Sequence, residues 1–123
     1  MEHNIPLMAC ILDQITREPD SHDQSKWCNC IAGWAIRFTG GYAFKREPGS
    51  LRDAIYVVNL STGETEAVDD VAARLLGLWE EEADGLFAST NTDAAAWLED
   101  IIVTHQTKVL DQLARRVDEA VAA

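Results

Sequence analysis

The segment SKWCNCIAGWAIRF, residues 25 to 38, constrains the fold more than any other. Trp27, Cys30, Ile31, Trp34, Ala35 and Phe38 fall at i, i+3, i+4, i+7, i+8 and i+11, one continuous apolar stripe at helical spacing. Such a stripe has to be buried against other elements. The spacing therefore predicts a central helix over 25–38, capped by Asp23 or Ser25 and stopped by Gly40-Gly41. Gly33 interrupts it and costs the helix about 1 kcal/mol relative to alanine, so a close helix–helix approach is expected there.

The remaining elements follow from the same signals. Ile5, Met8, Ile11, Leu12 and Ile15 predict a first helix over 5–18, with Asn4 as its cap and Pro6 tolerated in the first turn. Residues 42–50 read as an irregular connection around Pro48-Gly49. AIYVVNL at 54–60 reads as a strand, STGE at 61–64 as a turn with Gly63 in its left-handed position, and TEAV as a short returning strand. Asp69 is expected to cap a helix carrying Val71, Leu75, Leu78 and Trp79 inward. A short helix at 80–89 shows Ala83, Leu86 and Phe87, and TNTD at 90–93 resembles a capping box. From Trp97 through Leu98, Ile101, Ile102, His105, Val109, Leu113, Val117 and Ala120 the phase stays helical. One long helix or a break near 104–107 both satisfy it. The expected fold class is mainly α, of α+β type: a small bundle of four to six helices with one short β-hairpin, in a single domain over 1–123.

With 123 residues and 47% hydrophobic side chains, one core can form without metal or disulfides. No apolar run is long enough for a membrane span, and the start lacks the pattern of a signal peptide, so a cytoplasmic protein is expected. Three cysteines is an odd number, which speaks for reduced thiols. The net charge of -11 is unevenly placed. Residues 61–100 hold eleven acidic side chains and one basic, Arg74, whereas 24–58 hold five basic and two acidic. Such a field repels phosphates, so direct nucleic-acid binding is not expected.

Two kinds of chemistry can be read from the residues. Cys28, Cys30 and His22 could hold zinc, with Cys10, His3 and His105 as further candidates. A Cys-x-Cys pair within a helix would splay its thiolates by about 200°, and no second pair follows. Cys28 could also serve as a nucleophile in the first helical turn, with His22 or His105 as base, although no third orienting group is visible. No phosphate-binding loop or calcium loop is present, and no cofactor is called for. The four tryptophans all sit at inward helical phase and read as core.

WCNCIAGWA resembles a Cys-x-Ala-Gly-Trp/His-Ala segment of small uncharacterised proteins of actinobacteria and their bacteriophages. AARLLGLWEEEADGLFASTNT is similar to their Leu-Leu-Gly-Leu, acidic spacer, Leu-Phe segment. The likeness covers about residues 20–40 and 70–100, and Asn29 departs from the usual Gly-Thr-type lead. The resemblance implies a phage or actinobacterial setting and no chemistry. The function expected on these grounds is a non-enzymatic acidic protein that binds or inhibits a host protein with a basic surface, one version being a nucleic-acid mimic. Its contact face would be Glu80, Glu81, Glu82 and Asp84. The alternative is a small cysteine-dependent enzyme or zinc protein using Cys28, Cys30 and His22. Oligomeric state is left open.

Overall fold

The computed structural model describes residues 2–45 and 55–122. Helix α1 (Ile5–Arg17) leads through a single 3-10 turn (Pro19–Ser21) to α2 (Ile31–Thr39). Three strands follow: β1 (Tyr42–Lys45), β2 (Tyr56–Asn59) and β3 (Thr65–Ala67). Helices α3 (Val68–Leu76), α4 (Glu80–Phe87) and α5 (Asn91–Ala122) complete the chain. The architecture is mainly α with a small antiparallel sheet of order β1-β2-β3. Met8 and Ile11 of α1, Ile31 and Ile36 of α2, Val57 of β2, Leu76 of α3, Leu86 of α4 and Leu98 of α5 are fully buried together. Each such side chain contributes about 2 kcal/mol of burial, which offsets the ordering of these short elements.

Helix α1 starts as its sequence dictates. The Asn4 side-chain oxygen accepts the Leu7 N–H, and proline lies in the first turn. Asn4 also serves α3, because its backbone N–H donates to the Leu76 carbonyl at 2.8 Å and its side-chain amide to the Leu75 carbonyl at 3.1 Å. The N-terminal segment crosses so close to Gly77 that a Cβ there would meet the Glu2 carbonyl at 1.9 Å. Gly77 has φ +71°, so it both ends α3 and leaves room for this crossing. The hairpin between β2 and β3 is the one expected. Gly63 has φ +76° and donates to the Asn59 carbonyl, whose side chain caps Ser61 and Thr62.

Four expectations need correction. The central helix begins at Ile31, not at residue 25, so Trp27, Cys28 and Cys30 lie in the turns that precede it. Local side chains capture the backbone there. Asp23 Oδ1 accepts from the Ser25 N–H and hydroxyl, and Gln24 Oε1 accepts the Ile31 N–H at 2.8 Å and so starts α2 in place of a cap from Asp23 or Ser25. Residues 42–45 form a strand paired with β2, with Tyr42 and Phe44 turned toward the core; the rest of the expected irregular connection, 46–50, and the first residue of the expected 54–60 strand lie outside the described residues. Helix α3 begins at Val68 behind Ala67, so Asp69 stands in the first turn and is not the cap.

The fourth correction concerns what the helices face. Trp79 and Phe38 are exposed, the former by 63%. Trp79 ends up outside because it stands in the link between α3 and α4, where helical phase no longer applies. Helix α5 runs unbroken through 104–107, yet its burial ends at Ile102. Every residue from Val103 to Ala122 is exposed, His105 included. Among the described residues no helix is long and apolar enough to cross a membrane.

Candidate functional site

The cysteine segment is a packed structural unit. Cys28 and Cys30 are buried and Cys10 is exposed. The Cys30 thiol lies 3.5 Å from the Trp27 carbonyl as a donor. His22 is buried and its Nε2 pairs with Gln24 Oε1 at 2.8 Å. The same loop is stitched to the helices beyond it. Asn91 accepts the Gln24 N–H and donates to the His22 carbonyl, while the Gln24 amide donates to the Leu86 carbonyl. Asp23 is held below the ordinary carboxylate range, chiefly by the hydrogen bonds from Ser25. Because Cys28 precedes α2, it gains no place in a first helical turn, and the helical splay argued for the pair does not apply to it. Among the described residues no three His, Cys, Asp or Glu side chains converge as a metal cage, Cys28, Cys30 and His22 included.

The acidic residues divide. Glu80 and Asp84 line an open groove of about 380 Å³ together with Asp69 and Asp70 of α3. Glu82 turns away: its carboxylate lies 2.9 Å from His3 Nε2 and accepts the Trp79 N–H. Glu81 is exposed and outside the groove lining. Arg74 reaches the same groove, but its guanidinium donates to the Tyr42 hydroxyl at 3.0 Å and to Glu66 at 3.1 Å, and these bonds raise its pKa. The groove thus keeps a net negative field, with Trp79 exposed beside Glu80 in the chain. Sequence reasoning missed Asp69 and Asp70 as members. The signal was available: the link from Gly77 to Trp79 is so short that α3 and α4 must lie side by side.

A second groove, of about 510 Å³, brings His3, Glu82, Asp100, His105 and Lys108 around Trp97. The His3–Glu82 contact is its one bonded pair of titratable groups among the described residues.

The least expected surface is the outer part of α5. From Val103 to Ala122 the helix extends about 30 Å at 1.5 Å per residue. Val103, Val109, Leu110, Leu113, Val117 and Val121 are exposed on it, Leu110 by 65%. No element of the described chain covers them. No family model, curated protein or solved structure matches this chain.

Proposed function

We propose that this chain is a non-enzymatic interaction protein, built as a small folded head with a helical arm that docks onto another helix. One observation carries the reading: burial of α5 ends at Ile102, and the helix runs on past the head groove bordered by His105 and Lys108 to Ala122 with its Val and Leu side chains exposed. An isolated helix of this length is marginal in water, and exposed apolar rows of this size mark interaction surfaces. The test is Leu110→Lys with Leu113→Lys. The pair is expected to abolish association, read as hydrodynamic mass of the purified chain and as capture of proteins from an actinobacterial lysate. Unchanged behaviour in both assays would refute the reading.

A second reading is favoured by the groove of Asp69, Asp70, Glu80 and Asp84. A cleft lined with carboxylates steers a basic surface toward it. Together with the resemblance to actinobacterial and phage proteins, this supports a host protein with a basic face as the head's partner, met in the cytoplasm. Asp69→Lys with Asp84→Lys is expected to remove salt-sensitive capture from lysate while leaving arm-dependent association in place. Capture that survives both reversals at low salt would count against the groove.

A further inference from the structure

The exposed face of α5 has a register. Val103, Leu110 and Val117 recur every seven residues, and Gln106, Leu113 and Ala120 recur three residues after each. These are the a and d positions of three consecutive heptads, the pattern that holds one seam toward a partner helix in a left-handed supercoil. A helix packed on a globular core uses a broader stripe at 3.6-residue spacing. The buried part of α5 does so, with Ala94, Leu98 and Ile102 inward and Ile101 and Trp97 packed beside them. The seam begins where burial ends, and Val109 and Val121 flank it at a g and an e position.

Building on the reading of the arm as a docking element, we propose that its occupant is the arm of a second copy of this chain, paired antiparallel. Three observations on the molecule choose a second copy. First, charge: residues 103–122 hold three basic and three acidic side chains, so the arm is neutral while the rest of the chain carries the whole net charge of -11. Two arms meet without repulsion, and neither has the basic excess or acidic excess that would select a charged partner. Second, the seam complements itself. In an antiparallel pair each a position faces a d position, so Leu110 meets Leu113 of the partner subunit at the centre. Val103 then meets Ala120 of the partner subunit at each end, and Gln106 meets Val117 of the partner subunit between them. Third, area: the four exposed Val and Leu side chains of the seam together with the flanking Val109 and Val121, losing roughly 80 Å² apiece, would bury about 1,000 Å² across the pair, the size at which a specific interface begins.

The heads decide the direction. In a parallel pair two strongly acidic heads would stand side by side. In an antiparallel pair they stand at opposite ends of a helix pair about 30 Å long, several Debye lengths apart at physiological salt. The assembled molecule would display two acidic grooves facing different ways.

Sedimentation equilibrium of the full chain tests the proposal. The expected result is reversible dimerisation in the micromolar range that changes little above physiological salt, because the separated heads are already screened from each other and the seam is apolar. Leu110→Lys with Leu113→Lys should give a monomer whose head melts as before, and Gln106→Leu should tighten the dimer about tenfold or more by removing a polar side chain from the seam. Direction is read by oxidative cross-linking in a Cys10→Ser background. Chains carrying Val103→Cys should link to chains carrying Ala120→Cys, and Ala120→Cys chains should not link to each other. A monomer at all concentrations, with Gln106→Leu also monomeric, overturns the second copy as occupant; lysate capture that still depends on Leu110 and Leu113 would then leave the docking reading standing. Predominant linkage between two Ala120→Cys chains overturns the antiparallel arrangement.

Discussion

Gly33 lies against the carbonyl of Trp27: a Cβ on residue 33 would stand 2.1 Å from that oxygen and 2.5 Å from the Cys28 carbonyl carbon. The glycine in the middle of the most apolar segment is therefore explained by a close approach. The backbone it meets belongs to the turn before α2 and not to another helix, which corrects the expected helix–helix contact. The turn folds back over the helix that follows it, and only a residue without a side chain lets it pass. Backbone on both sides of the contact leaves nothing flexible to give way. Gly33→Ala should therefore cost about 3 kcal/mol or more despite alanine's better helix propensity. Chemical denaturation measures this, and a variant as stable as the wild type would contradict the packing.

Trp34 links the same helix to the 3-10 turn. Its ring packs on the core edge with Phe38 at 5.6 Å and Arg37 above it at 4.9 Å, and its Nε1 donates to the Ser21 carbonyl at 3.0 Å. Trp34→Ala should destabilise by about 3 kcal/mol. Trp34→Phe keeps most of the packing and loses the hydrogen bond, so it should cost nearer 1 kcal/mol. Equal losses in the two melts would mean that the indole N–H carries the whole effect.

Asn4 closes one helix and opens another. Replacing it with Ala removes the α1 cap and leaves the Leu75 carbonyl of α3 without that donor. The expected cost is about 1–2 kcal/mol. Asn4→Asp keeps the cap oxygen and loses the amide donor, so it should fall between Ala and the wild type. A wild-type midpoint for Asn4→Ala would show that the N-terminal crossing contributes nothing.

Much of the fold can be read from local chemistry. Asn4 with Pro6, Gly63 after Asn59, and the inward Ile and Leu positions of α1 and α4 match the elements they form, whereas α3 ends at Leu76, buries that residue more fully than Leu75, and leaves Leu78 to pack inward from the link beyond it. The misreadings share a cause: spacing reports which residues share a face, not what that face meets. Trp27 and Cys30 keep the phase of Trp34, yet Asp23 and Gln24 supply acceptors that hold residues 23–30 in turns. Val109, Leu113 and Val117 keep helical phase as well, but they continue past the last residue that the head can cover. The acidic site was half legible for a related reason. Glu80 and Asp84 were visible as a local cluster, whereas Asp69 and Asp70 join them only through the packing of α3 on α4.

The four carboxylates of the acidic stretch are not equivalent. Glu82 holds His3 and the Trp79 N–H, so Glu82→Lys should lower the stability by about 1 kcal/mol. Asp69→Lys with Asp84→Lys removes like charges from one groove, which offsets the loss of the Asp69 acceptor on the Asp70 N–H in the first turn of α3, and should leave the melting temperature near that of the wild type. Thermal melts of the two variants side by side check the division. A larger loss for the groove pair than for Glu82 would reverse the assignment of structural and solvent-facing acids.

Hydrogen exchange along α5 tests the central claim, that the arm is held by a second copy. Amides of residues 94–102 should be protected at every concentration, because they are bonded within the part of the helix that is packed on α1 and α4. Amides of 103–122 should gain protection as protein concentration rises and lose it in the Leu110→Lys, Leu113→Lys variant, since an unpaired helix of this length frays. Exchange of 103–122 that is independent of concentration and unaltered by the variant would contradict the account.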